Sequence, residues 1–239
     1  MKNKKVKIIG FGDTGFNCID KMLNMNNINV EFIEISTNRS DINNLEYTAK
    51  NCNKEQILKT VLIGEKTTKG LGDTTVEKEN IENSIKEIME ESKEDLITFL
   101  KRELKDTKVV FFISGIINLK SDLILPLIIN EIKKLNIYVI GLIEKNSISI
   151  RKWMEPNIPK IINENKHVND ITIVIDSVKN ENIRFTETFQ KIYNRICNIV
   201  LTLVDFILKN EEINFNEFDK FIWKNIKRDE FILEEWYKK

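Results

Sequence analysis

Three glycines spaced Gly10-x-Gly12-x-x-Gly15 follow directly on the apolar run Val6 to Ile9, and their spacing is the clearest chemical signal in the chain. A strand ending in such a turn exposes backbone N–H groups where a helix begins, and phosphate is the natural guest of those donors. Glu34, near the end of the next apolar run, stands where an acid could hold a ribose hydroxyl, so the spacing alone permits a dinucleotide such as NAD. It equally permits a tight strand-to-helix turn with no ligand. A second glycine group follows: Gly64, then Lys69-Gly70-Leu71-Gly72-Asp73-Thr74-Thr75.

The elements that must position these turns can be read from periodicity. Val30 to Ile35, Val61 to Ile63, Val109 to Ile113, Tyr138 to Ile143 and Ile171 to Ile175 are apolar runs of strand length, too continuous to have a solvent face. Between them lie helical patterns: Asn17 to Leu23, a Glu- and Lys-rich surface helix over 77–104, Leu123 to Leu135 with Pro126 in its first turn, and the long Thr186 to Leu208. The polar stretch Ser36 to Lys54 reads as loop with one helical turn. Strands buried on both faces and alternating with helices predict an α/β, Rossmann-like, doubly wound and mostly parallel sheet.

Bulk properties narrow the function. The chain has 239 residues, with 37 basic and 37 acidic side chains, so no global field favours nucleic acid or a membrane surface. Cys18, Cys52 and Cys197 have no metal-ligand spacing and suggest a reducing compartment. No apolar run is long enough to span a bilayer, and no signal-peptide core precedes the first strand, so a cytoplasmic protein without membrane insertion is expected.

Several segments, in order, resemble the FtsZ/tubulin family. Val6 to Met22, including Asn17 just past the turn, is similar to that family's opening strand, glycine turn and helix. Val30 to Asn38 resembles its second strand and the loop after it. Ile63-Gly64-Glu65-Lys66-Thr67-Thr68-Lys69-Gly70-Leu71-Gly72 is close to the bacterial FtsZ form and is the most specific piece. Lys108 to Gly115, Pro126 and Glu131 fit the next strand and helix, Phe189 to Ile207 the long central helix, and Ile213 to Asp219 the loop beyond it. Insertions relative to the family are expected around 40–55 and 76–100. The resemblance implies a domain over 1–209 that includes the central helix, with 210–239 as a short helical tail in place of the family's second domain.

It also implies a nucleotide site, built from Gly12, Asp13, Thr14, Gly15, Asn17, Thr37, Gly72, Asp73, Thr74, Thr75, Gly115, Lys120, Phe189 and Tyr193, with Asp219 acting in trans on a neighbour's nucleotide and no metal ligands. The pattern breaks after Gly115. The family carries a GGGTGTG loop there, whereas this chain has Ile117-Asn118-Leu119-Lys120-Ser121-Asp122-Leu123. Each β-carbon crowds amides that would wrap an anion, and losing two or three charge-assisted hydrogen bonds at about 1.5–3 kcal/mol each weakens binding by roughly 10²–10⁶-fold. Lys120 could offset part of that as a point charge beside phosphate. Tyr193 replaces the residue that reads the base edge, and Asn216 replaces the first of two catalytic acids, leaving Asp219 alone; an Asn cannot take a proton from water.

The expectation is therefore an FtsZ/tubulin-like domain that is a weak binder of GTP or GDP or a pseudo-GTPase, working through protein contacts in cell division or a cytoskeletal assembly. Its partner would be itself or a full-length FtsZ-type protein. The alternatives are a GTP-hydrolysing filament subunit and an NAD-type domain.

Overall fold

The computed structural model describes residues 6–26, 28, 30–72, 81–115, 119–145, 158–177, 185–210, 216–218, 220–221 and 232–238. The first half of the chain supplies β1 (Val6–Phe11), α1 (Gly12–Leu23), β2 (Glu31–Ser36), α2 (Arg39–Asn51), β3 (Leu58–Leu62), α3 (Glu65–Thr68), α4 (Ile81–Glu103) and β4 (Val109–Gly115). The second half supplies α5 (Leu119–Lys133), β5 (Tyr138–Lys145), α6 (Ile158–Val168), β6 (Ile171–Ser177), α7 (Phe185–Lys209) and β7 (Ile232–Lys238).

The strands form one sheet in the order β3-β2-β1-β4-β5-β6-β7. All neighbouring pairs are parallel except β6–β7, which is antiparallel. Every residue of β1 and β4 is buried, as continuous apolar runs require when helices cover both faces. One core lies under α1, α2 and α7 and includes Ile8, Phe32, Phe111 and Ile196; the other lies under α4 and α5 and includes Ile9, Ile33, Phe112 and Ile128. This is the doubly wound sheet that the alternation of runs predicts, with one added antiparallel edge.

Four segments differ from the sequence reading. Residues 36–54 are not mainly loop, because α2 runs through them. Asn38 caps this helix by accepting the Ser40 N–H at 2.9 Å, and Ile42, Leu45 and Ala49 bury one face, which is enough to fix an otherwise polar helix. The second is α5, which starts at Leu119, so Pro126 sits inside the helix rather than in its first turn. A mid-helix Pro costs about 3 kcal/mol. The burial of Ile124, Leu125, Ile128, Ile129 and Ile132 at roughly 1.5–3 kcal/mol each outweighs it.

The third is α6, which occupies part of the stretch between the fifth and sixth strands where no helix was anticipated. The fourth is the tail, expected as helix, which is a strand over Ile232–Lys238, paired from Ile232↔Ser177 to Lys238↔Ile171. The exposed edge of β6 offers unpaired N–H and C=O groups along its whole length, and seven paired residues satisfy more of them than an isolated helical turn could.

Candidate functional site

With β1 and β4 adjacent and the chain winding outward from them in both directions, the topological switch point falls at their carboxyl ends, where open α/β sheets hold ligands. α1 begins there, directly after Phe11, and α5 begins soon after Gly115. The backbone explains the first glycine motif. Gly12 turns with φ +65°, in the left-handed region that side chains resist. A Cβ on Gly15 would lie 2.6 Å from the Gly10 backbone, and one on Gly10 would overlap the Glu34 carboxyl. Gly10 and Gly15 thus let β1 and α1 touch backbone to backbone, and the spacing follows from packing without reference to a ligand.

The loop after β2 and the second glycine segment are stitched together beside this turn. Thr37 offers its carbonyl to the Gly72 N–H at 3.1 Å and to the Thr68 hydroxyl at 3.1 Å, and Arg39 N–H donates to the Gly70 carbonyl at 2.9 Å. Asn38 and Leu71 form an isolated antiparallel bridge. Glu91 of α4 anchors the far side of the segment by accepting the N–H groups of Lys66 and Thr67.

Carboxyl groups dominate the same edge. Asp13 lies in the first turn of α1 and Asp41 in the first turn of α2. Glu34 and Glu144 are completely buried beneath them. Thr14 donates its hydroxyl to Glu144 Oε2 at 2.5 Å. The Cα partner of Glu144 across the β4–β5 ladder is Gly115, which puts no side chain beside that carboxyl. Neither oxygen of Glu34 has a hydrogen-bond partner among the described residues. Burial pushes the Glu34 pKa well up, and the charges of Asp41 and Asp13 push it further, so the fold favours the protonated form of this carboxyl. Burial and the charge of Asp13 raise Asp41 to about 6 against an opposing hydrogen bond from Ser36. Partial desolvation raises Asp13 as well. Among the described residues no group of three His, Cys, Asp or Glu is arranged to hold a metal ion.

The residues predicted from sequence divide clearly. Gly12, Asp13, Thr14, Gly15, Asn17, Thr37, Gly72 and Gly115 all belong to this edge or the turns leading into it. Asn17 turns its amide back to the Asp13 carbonyl of its own helix at 2.6 Å. Tyr193 of α7 is buried, and its hydroxyl pKa is pushed up by burial and then by Glu144, Cys18 and Asp13, so the phenol lies within electrostatic reach of the acidic cluster. Half-buried Phe189 packs one turn away, with ring centroids 5.9 Å apart. Lys120 falls in the first turn of α5. Asp73, Thr74, Thr75 and Asp219 lie outside the described residues.

Sequence reasoning missed Asp41 and Glu144 and misjudged Glu34, which is sealed beneath Gly10 and cannot present itself to a ribose. The signal was available for Glu34, which sits near the end of an apolar run of strand length, whereas Glu144 follows the run Tyr138 to Ile143 and joins β5 only in the fold.

No protein-family profile and no curated protein matches the sequence. Solved structures do match. An FtsZ of M. jannaschii superposes with a TM-score of 0.68 at 21% identity, over 91% of this chain and 62% of that one. CetZ from Methanosaeta thermophila gives 0.65 at 17% identity, over 92% and 59%. TubZ of Clostridium botulinum phage c-st gives 0.62 at 16% identity, over 93% and 66%. The chain spans less than two thirds of the length of each. Across nine-tenths of its length, this chain has the Rossmann-like fold of the FtsZ/tubulin nucleotide-binding domain.

Proposed function

We propose that this chain is an FtsZ/tubulin-type assembly protein whose nucleotide edge binds GTP or GDP weakly and does not sustain hydrolysis, so that it works through protein contacts. The observation that carries this reading is the crowd of carboxyl groups where phosphate would sit: Asp13 and Asp41 at two helix starts, with Glu34 and Glu144 beneath. Helix N-termini favour an incoming anion by about 0.3–1 kcal/mol each. A carboxylate about 6 Å from a phosphate charge opposes it by roughly 3 kcal/mol at an effective dielectric near 20. Repulsion exceeds the dipole attraction, and the chain lacks the glycine-rich loop that would add amide donors.

The base side supports the same reading. Tyr193 and Phe189 bring two rings together within electrostatic reach of the cluster, and Thr14 is already committed to Glu144. The burial of Glu34 removes the support for an NAD-type site.

Calorimetry of the purified chain with GTP, GDP and NAD tests the proposal. Weak or absent heats with both guanine nucleotides and none with NAD are expected. Stoichiometric tight GTP binding with phosphate release would make this an active filament subunit instead. Co-sedimentation with an FtsZ-type filament, with and without nucleotide, tests the protein-contact half; the expected result is pelleting that does not depend on added GTP.

A further inference from the structure

On the sheet face away from α7, α4 and α5 run side by side and leave between them a groove of about 770 Å³. Its floor is apolar: Ile85, Leu96 and Ile128 are buried there. Its banks are half open, formed by Met89 and Ile97 on α4 and by Leu127 on α5, whose side chain is 44% exposed. A single exposed Leu is ordinary on a protein surface. Here it is one wall of a continuous apolar trough, and troughs of that kind mark binding surfaces.

The rim is basic. Lys86 and Lys93 stand two turns apart on α4, exposed and with no ion pair among the described residues. Lys133 and Lys134 line the α5 side, bonded to Asp170 and Glu131. Counting Glu90 and Glu131, the lining carries four lysines against two acids in a chain of zero net charge. An apolar channel with two lysines on its α4 bank that make no ion pair among the described residues complements an apolar stripe flanked by anions. From Ile85 to Ile97 the channel follows about 18 Å of α4, roughly three helical turns. That is the span over which a helix presents anchors at i, i+3 or i+4, and i+7.

We propose that the α4–α5 groove is a docking site for an acidic amphipathic helix of a partner protein, separate from the carboxyl edge of the sheet. The anchors fill the space over Met89 and Leu127, and the partner's Glu or Asp residues face Lys86 and Lys93. Glu90 and Glu131 interrupt the row of lysines, which disfavours a continuous phosphate backbone and so nucleic acid.

The test is fluorescence anisotropy of the full chain with a labelled 15-residue amphipathic Leu/Glu helix as probe. The same residues in scrambled order, the pattern with Lys in place of Glu, and a single-stranded DNA oligonucleotide serve as comparisons. The acidic amphipathic probe alone is expected to bind. Leu127→Glu, and separately the pair Lys86→Glu with Lys93→Glu, should each raise its Kd by at least about tenfold while the far-UV circular dichroism is unchanged. Absence of binding, equal binding of the scrambled peptide or the DNA, or insensitivity to both sets of variants would each overturn the proposal. None of these results bears on the nucleotide edge, so the two proposals fail independently.

Discussion

Two helices begin at the carboxyl edge of the sheet, on its opposite faces, and they begin in different ways. α1 follows a turn in which Gly12 needs a left-handed backbone and Gly10 and Gly15 need bare contact between strand and helix. α5 begins at Leu119, and no glycine lies between Gly115 and Gly141. Glycine therefore stands where two backbones touch and is absent where only an anion would call for naked amides. A glycine fingerprint can be held in place by packing, so its presence at α1 is evidence for a fold before it is evidence for a ligand.

The largest effect expected from this contrast is structural. Gly15→Ala drives a methyl group into the Gly10 backbone, which cannot rotate away as a side chain can, and should cost about 3 kcal/mol or more. Gly12→Ala meets the left-handed penalty, about 1–2 kcal/mol. Urea unfolding of both variants without nucleotide measures the difference. If both unfold like the parent and lose only a ligand, the turn is a binding device and the contrast with α5 collapses.

The buried acid under the turn gives the next effect. Glu34 has its pKa raised in the fold, so its contribution to stability is complete below the unfolded value near 4.3 and declines as pH climbs towards the folded value. One such proton sets a slope of at most about 1.4 kcal/mol per pH unit. Glu34→Gln keeps the shape and cannot ionise, so its unfolding midpoint should gain on the parent's between pH 5 and pH 8. Parallel pH profiles for the two proteins would mean that the Glu34 carboxyl is paired and charged.

A smaller effect separates charge from shape at the same helix start. Asp13→Asn removes one repulsive carboxylate without altering the glycine turn and should tighten GTP binding by about tenfold, measured by calorimetry at pH 7.5. If affinity is unchanged, the missing loop after β4 is the whole obstacle, and the acids at α1 and α2 are incidental.

Much of the fold was legible because the strands announce themselves. Ile8 and Ile9, Val109 to Ile113 and Tyr138 to Ile143 can sit only in a sheet covered on both sides, and the order of turns between them fixes which strands are central. α2 was hidden because three apolar contacts suffice for a helix whose other face is polar. Pro126 misled because tertiary burial overrode a local penalty. The tail misled because its partner is the β6 edge, far away in sequence. At the candidate site the glycines, Asp13 and Thr14 could be read, but the convergence of four acids could not. Asp13, Asp41, Glu34 and Glu144 come from four different elements, and only the folded sheet puts their charges within reach of one another.

The smallest expected effect probes the third helix start at this edge, that of α2. Asn38 accepts the Ser40 N–H and donates its own amide to Asp41 Oδ1 at 3.1 Å, so it both caps the helix and steadies a carboxylate. Asn38→Ala should cost about 1 kcal/mol through the lost cap. It should also raise the Asp41 pKa beyond about 6, because a hydrogen bond to the charged form is removed. Asn38→Asp retains an acceptor for Ser40, so much of the stability should return, yet it sets a second carboxylate beside Asp41 and should lift that pKa further still. Carboxyl titration by NMR together with urea unfolding distinguishes the two roles. Stability and pKa that moved together in both variants would make the edge a single cooperative unit, whereas recovery of stability with a rising pKa would show that helix starts at this edge tolerate accumulated negative charge, the condition under which α1 and α2 can stay folded without a phosphate between them.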